Sequence, residues 1–167
     1  MEYRTLGRTE LSVSLVSLGS GGPSQLGQNT SVPESEVHTL LHTALDMGIN
    51  LIDTAAGYGK SEEILGRALK TVDRNRYYIA TKTRPVRENR ILSASELVHQ
   101  VETSLKRLQL ETIDIFQFHG VQRNEYDGVR DSLVSTAQKL KSQGKIRFIG
   151  ITEMYFRDGD HQVLQCA

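Results

Sequence analysis

The most constraining feature of this sequence is a regular alternation of short apolar runs with amphipathic helical patterns. The runs are almost continuously hydrophobic, as strands of a parallel sheet covered by helices should be. Successive runs begin roughly 30 to 37 residues apart, which is the length of one strand, one helix and two loops. The runs predicted as strands are Leu15–Leu18, Ile49–Ile52, Tyr77–Ala80, Ile113–Phe118 and Phe148–Ile151.

Four helical patterns separate the predicted strands. In the clearest one, Ser93 and Glu96 fit a capping box and are followed by an apolar stripe at helical spacing. A glycine after the last apolar residue of a pattern is typical of a helix end. The glycines predicted to end helices are Gly48 and Gly144.

Alternating strands and helices build two main architectures, an open doubly wound sheet or a closed (β/α)8 barrel. An open sheet that binds a dinucleotide needs a glycine-rich turn leading directly into a helix. The candidate turn has Ser24 where the third glycine is needed, Pro23 intervenes, and the next helix starts only near Pro33. The dinucleotide turn is therefore disfavoured.

The length of 167 residues suits one globular domain, and no low-complexity linker divides the chain. We therefore predict a single domain over residues 1–167. Ahead of the first strand–helix unit, Tyr3–Leu6 and Ser12–Val13 around Gly7 are predicted to form a small hairpin.

The charges balance, with 20 Lys and Arg against 20 Asp and Glu. This balance favours a folded soluble protein and gives no electrostatic reason to expect nucleic acid or membrane as a partner. A local basic stretch from Arg74 to Arg90 is interpreted as a solvated face. With one cysteine, Cys166, and neither a signal segment nor a membrane-length run, a cytoplasmic location is expected. No metal site is predicted.

Polar side chains follow three consecutive predicted strands. Asp53 and Tyr58 come after the second strand, Lys82 after the third and His119 after the fourth. In a parallel barrel, the carboxyl ends of the strands form the rim where active sites are built. Each residue alone has an ordinary structural explanation, such as a loop cap, a surface lysine or a half-buried turn aromatic. Together they are the groups needed to protonate a carbonyl oxygen.

Each of these groups would take a different part in protonating the carbonyl oxygen. A lysine cation near a tyrosine favours the phenolate form, and a carboxylate paired with the lysine holds the cation in place. A histidine can donate a hydrogen bond to the substrate oxygen and fix its direction. No side chain supplies the reducing equivalent, so a nicotinamide cofactor is the expected donor.

Five segments, in the right order, resemble the aldo-keto reductase family. The segment YRTLGRTELSVS resembles the family's N-terminal hairpin, and NLIDTAAGYG resembles its active-site stretch; the segments that follow are IATKT, LKRLQLETIDIFQFHG and KLKSQGKIRFIGIT. The resemblance reaches to about Thr152. It implies an α/β fold of the (β/α)8 TIM-barrel type with an N-terminal β-hairpin. It also implies an NAD(P)(H)-dependent oxidoreductase that interconverts aldehydes or ketones and alcohols.

The resemblance implies a role for each polar residue. Tyr58 would be the general acid, and Lys82 would favour its phenolate form. Asp53 would pair with Lys82, and His119 would orient the carbonyl. The implied cofactor is NADPH, with NADH as the alternative. The positions expected to contact it are Gly21, Asp53, Thr152 and Glu153.

Two features depart from the family pattern. The family usually has a Ser-Asn pair that holds the nicotinamide carboxamide, and the matching positions are Thr152 and Glu153. Thr152 keeps a hydroxyl, whereas Glu153 puts an anion in place of an amide and would weaken or redirect that contact. The sequence also yields about five of the eight β/α units of such a barrel. The segment after Met154 is too short for a sixth.

Five parallel strands cannot close a barrel, so the first and fifth strands would be open edges through which chains could self-associate. Three functions stay open on this basis. They are a carbonyl reductase, a non-catalytic cofactor-binding or regulatory protein of the channel-subunit type, and a truncated chain with no activity of its own. The expected partner is a small carbonyl or alcohol substrate, with no nucleic acid and no membrane.

Overall fold

The computed structural model describes residues 1–154 and 156–167, and its centre is one parallel sheet of five strands. These strands, β3, β4, β5, β8 and β9, lie side by side in their order along the chain. Sequential order is that of a β/α barrel, because a doubly wound sheet reverses its order at a switch point. In chain order the strands are β1 (Tyr3–Thr5), β2 (Ser12–Ser14), β3 (Leu18–Gly19), β4 (Leu51–Asp53), β5 (Tyr78–Thr83), β6 (Val86–Arg87), β7 (Arg90–Ile91), β8 (Ile113–Val121) and β9 (Ile146–Glu153).

The predicted strands are confirmed, but the first is shorter and later than expected. Only Leu18 and Gly19 pair with β4, whereas Leu15 and Val16 are exposed. Ser14, at the end of β2, holds this exposed stretch in place, because its hydroxyl donates a hydrogen bond to the carbonyl of Val16 at 2.7 Å. The apolar run therefore includes an exposed connection, which composition alone does not distinguish from a strand.

The predicted hairpin is confirmed as the antiparallel pair β1 and β2. Leu11 and Val13 pack with Ala80 and Ile115 into a small cluster on one face of the sheet. The helices cover the opposite face, where the main core lies. The hairpin thus lies on the sheet face that the helices leave free, below the carboxyl ends of the strands. The rim formed by those carboxyl ends stays accessible.

The predicted helices are also confirmed. The capping box is present in full, since the Ser93 hydroxyl accepts from the Glu96 amide and the Glu96 carboxylate accepts from the Ser93 amide. Gly48 and Gly144 follow helix ends with φ of +91° and +76°. The helices are α1 (Glu34–Asp46), α2 (Ser61–Ala68), α3 (Ala94–Leu108), α4 (Tyr126–Ser142) and α5 (Gln162–Cys166), with a 3₁₀ turn at Arg74–Arg76.

The basic stretch is only partly the solvated face expected from the sequence. Its later residues form the unpredicted hairpin β6 and β7, where Arg90 pairs at the surface with Glu96. Arg74, by contrast, pairs with the fully buried carboxylate of Asp114. That interpretation was wrong for Lys82, which is buried, and for the paired end of Arg74, whose partner lies 40 residues away and is invisible to local patterning.

Across the two described ranges, no helix combines the length and the apolar character that crossing a bilayer requires.

Candidate active site

Strand alternation places Asp53, Lys82 and His119 on one face of the sheet. Asp53 lies opposite Ala80 in the register of β4 and β5, and Lys82 lies opposite Gln117 in the register of β5 and β8. Side chains two residues apart in a strand point to the same face, and paired residues share a face. His119 comes two residues after Gln117, so all three predicted groups meet at the same rim.

Lys82 is a buried cation paired with a partly exposed carboxylate. Its ammonium lies 2.5 Å from Asp53 Oδ2, and it also donates to the carbonyl of Thr54 at 3.0 Å. The Lys82 side chain is 6% exposed, whereas that of Asp53 is 36% exposed. The carboxylate holds the ammonium pointing across the rim and compensates its burial, because a buried charge without a partner would be strongly unfavourable.

Tyr58 turns back from the loop after β4 toward the same pair. Its amide donates to the carbonyl of Ala55 at 3.0 Å, which closes a tight turn through small residues. The Lys82 ammonium lies 5.0 Å from the centroid of the Tyr58 ring. The ring also meets the His119 ring edge-on, with 5.9 Å between centroids and 86° between planes. The structure thus brings all four predicted catalytic residues together.

Gly21 lies directly against Tyr58. A Cβ atom at this position would stand 2.7 Å and 2.8 Å from two atoms of the tyrosine ring, closer than real Cβ contacts allow. The absence of a side chain at Gly21 is therefore what leaves room for the ring in this orientation. The sequence associated Gly21 with the cofactor, and the structure adds its packing contact with Tyr58.

His119 is half buried, and its environment favours the neutral imidazole. Burial lowers the pKa of His119 from its ordinary value of 6.5. The cations of Lys82 and Arg84 lower it further, and the Asp53 carboxylate opposes them. A neutral imidazole still carries one N–H, so His119 can donate a hydrogen bond to an oxygen at the rim.

Thr152 and Glu153 lie at the end of β9. The Thr152 hydroxyl accepts a hydrogen bond from the amide of Gly120, next to His119, at 2.9 Å. One carboxylate oxygen of Glu153 pairs with His161, whose pKa is raised by that hydrogen bond. The other oxygen is buried and has no hydrogen-bond partner among residues 1–154 and 156–167. An unpaired buried oxygen of this kind is a ready acceptor for a bound donor.

Two arginines beside the rim, Arg84 and Arg157, were not predicted as site residues from the sequence. A cavity of about 80 Å³ is lined by Arg84, His119, Gln122, Glu125, Met154 and Arg157, among others. Arg84 comes two residues after Lys82, and that spacing is the signal that could have found it. Arg157 lies beyond Thr152, where the segments that carry the resemblance end, so no motif pointed to it.

A parallel β/α sheet whose rim joins a lysine–aspartate pair to a tyrosine and a histidine is the arrangement that the resemblance to the aldo-keto reductases implied. The comparison with known families agrees, since the Aldo/keto reductase family profile matches residues 17–160. The chain belongs to the aldo/keto reductase family.

Individual relatives are similar over nearly the whole chain. L-galactose dehydrogenase of Arabidopsis thaliana is 38% identical over 157 residues, which are 91% of this chain and 48% of that protein. The NADH-specific methylglyoxal reductase of Escherichia coli is 35% identical, over 96% of this chain and 54% of that protein. The holo form of an aldo-keto reductase from Bacillus halodurans superimposes with a TM-score of 0.74 at 30% identity, covering 92% of this chain and 51% of that one. The chain spans about half the length of the curated relatives it matches.

Proposed function

We propose that the protein interconverts aldehydes or ketones and alcohols with a nicotinamide cofactor, and that Tyr58 is the general acid. The observation that carries the proposal is the position of the Lys82 ammonium, 2.5 Å from the Asp53 carboxylate and 5.0 Å from the Tyr58 ring centroid. A cation held between a carboxylate and a phenol can stabilise the phenolate that proton transfer from Tyr58 would leave.

In the direction of reduction, Tyr58 gives its phenolic proton to the carbonyl oxygen. The phenolate that remains is stabilised by the Lys82 cation, and Asp53 keeps that cation in position throughout. In the direction of oxidation, the same phenolate takes the proton of the alcohol. The neutral His119 donates a hydrogen bond to the substrate oxygen and directs it toward Tyr58.

The residues at the end of β9 fit a nicotinamide. The buried Glu153 oxygen without a described partner can accept from an amide NH₂, and the Thr152 hydroxyl, which accepts from Gly120, still has its own proton to donate. When bound there, the cofactor would supply or accept the hydride that no side chain can carry. We propose that NADPH, or alternatively NADH, is held by Thr152 and Glu153, with Gly21 and Asp53 as further contacts.

The substitution Tyr58→Phe tests the acid assignment. It removes only the hydroxyl, so we expect turnover of a simple aldehyde with NADPH to fall by about 10² to 10⁴, the usual contribution of a general acid. Cofactor affinity should be nearly unchanged. Tyr78→Phe is the matched control, because Tyr78 lies on the same sheet face in the cluster beneath the hairpin and should leave turnover intact. Undiminished turnover in Tyr58→Phe would refute the assignment.

Titration with NADPH separates this function from the two alternatives left by the sequence. The chain contains no tryptophan, so the emission of the reduced cofactor can be followed against a low protein background. Binding with aldehyde-dependent oxidation supports the reductase. Binding without turnover would favour a regulatory protein, and no binding would favour a chain without activity of its own. The relatives named above are reductases and dehydrogenases, so the comparisons lend no support to the regulatory alternative.

A further inference from the structure

Arg84 is an exposed cation beside the rim. It makes no hydrogen bond or salt bridge with any residue in the described ranges, although it is close enough to His119 to lower the pKa of that imidazole. Its neighbours in the basic stretch differ. Arg87 donates to Gln100 at 3.1 Å, and Arg90 makes a two-pronged pair with Glu96 at 2.7 and 2.8 Å. Arg84 is therefore left with all of its donors available.

A second guanidinium faces the same cavity. Arg157 lines it from the segment after β9, and its guanidinium donates a long hydrogen bond of 3.3 Å to the Gln122 side chain. The cavity lies between the two arginines and reaches His119, the residue placed at the substrate oxygen. A ligand that occupied it would have one end on the guanidinium groups and the other end at the rim.

The charge of this cavity is net positive. Its lining has two guanidiniums and one carboxylate, Glu125, while His119 favours the neutral form, so the sum is +2 − 1 = +1. Both Glu125 carboxylate oxygens already accept hydrogen bonds from Gln122. One accepts from the Gln122 backbone amide at 3.0 Å, and the other accepts from the Gln122 side-chain NH₂ at 3.1 Å. Glu125 is thus turned to its own loop, and the cationic donors that line the cavity are Arg84 and Arg157.

We propose that Arg84, assisted by Arg157, binds the carboxylate of the substrate, so that the substrate class is a carbonyl compound bearing a carboxylate group. The planar guanidinium fork matches a carboxylate in geometry and charge. The cavity of about 80 Å³ is between two and three times the volume of one water in the liquid, enough for a carboxylate and the carbon that carries it. That the substrate carries a carbonyl group rests on the proposed function, whereas the binding of its carboxylate does not.

The test is a binding comparison that needs no turnover. The dissociation constants of 4-formylbenzoate and its neutral analogue 4-formylbenzamide are measured by protein-observed NMR at low ionic strength. We expect the carboxylate to bind at least about tenfold more tightly, the lower end for a charge-assisted hydrogen bond. The preference should shrink in high salt, because the site is open to solvent.

Arg84→Gln should reduce that preference to less than about twofold while leaving the affinity for the amide unchanged. Arg87→Gln is the matched control, since it removes a neighbouring exposed arginine that already has partners, and it should keep the preference. Equal affinities in the wild-type protein, no binding of either compound, or a preference that survives Arg84→Gln would each overturn the proposal. A protein that prefers the carboxylate yet oxidises no NADPH would refute the proposed reductase function and support the carboxylate site.

Discussion

At the scale of single residues, the protonation of His119 controls what the rim can do. A neutral imidazole donates one hydrogen bond without adding a third positive charge beside Lys82 and Arg84. Those two cations, together with burial, keep the pKa of His119 below its ordinary value. Under the proposed mechanism, the group that directs the substrate oxygen is then uncharged at neutral pH, and Tyr58 is left as the acid.

This arrangement predicts a pH dependence with a definite sign. The folded protein binds the His119 proton more weakly than the unfolded chain, whose ordinary value is 6.5. The contribution of His119 to the free energy of unfolding is therefore constant above about pH 6.5 and declines as the pH falls toward the folded-state pKa. NMR titration of the imidazole should give a midpoint below 6.5. His119→Gln should weaken the loss of stability between neutral and mildly acidic pH.

A midpoint at or above the ordinary value would contradict the prediction. His161 is the internal contrast, because pairing with Glu153 raises its pKa. Its contribution has the opposite sign: it is present below the ordinary value and is lost as the pH rises through the folded-state pKa. The difference between the wild-type protein and His119→Gln isolates the first effect from the second.

At the scale of elements, the close approach of α2 and α3 depends on Gly66 in α2. A Cβ atom there would stand 2.3 Å from the carbonyl oxygen of Arg107, in the last turn of α3. The end of α3 therefore rests on the backbone of α2 itself. This contact fixes the spacing of two helices that cover the same sheet face.

Gly66→Ala should destabilise the protein although alanine is the better helix former. Helix propensity alone predicts a gain of about 1 kcal/mol. The clash with backbone cannot be relieved by a rotamer change, so we expect a net loss of about 1 to 3 kcal/mol, as for other overpacked positions. Denaturant unfolding of both proteins measures it.

Gly128→Ala in α4 is the control for that experiment. A Cβ atom at Gly128 would meet only the Cδ1 end of the Ile91 side chain, at 2.7 Å, and that end can move. We expect a change of stability near zero or slightly favourable. A stabilised Gly66→Ala protein would show that α2 and α3 separate without cost.

The elements also show which parts of the structure a sequence can reveal. The capping box of Ser93 and Glu96 and the alternation that places Lys82 on the site face are local, so they could be predicted. The pair of Arg74 with Asp114 and the contact of Gly66 with α3 join residues far apart in sequence. Only the packed structure determines such contacts, because nothing in the neighbouring residues encodes the partner.

At the scale of the whole molecule, the sheet has two outer strands. In the described residues, β3 pairs only with β4, and β9 pairs only with β8. The surface also has exposed apolar side chains, among them Leu40 on α1 at 55% and Met47 directly after α1 at 67%. Open strand edges next to apolar surface favour association between chains.

We therefore expect the isolated chain to self-associate. Sedimentation velocity across a range of protein concentrations should show a mass that rises above that of the monomer of 18.7 kDa. Thermal unfolding should accordingly depend on concentration, because association stabilises the folded form by mass action. A monomer at every concentration, with one sharp melting transition, would count against this expectation.

The alternation of side chains in β5 limits where the coding sequence can gain or lose a codon. Thr81 donates to Glu62 of α2 at 2.7 Å on the helix side, and Lys82 reaches Asp53 on the other side. Loss or gain of one codon ahead of Lys82 within this strand would exchange the two faces and place the ammonium among the helices. A codon added at the exposed tip of the β6–β7 hairpin would change only a surface turn. Length variation should accordingly be tolerated at that tip and be absent from the strand.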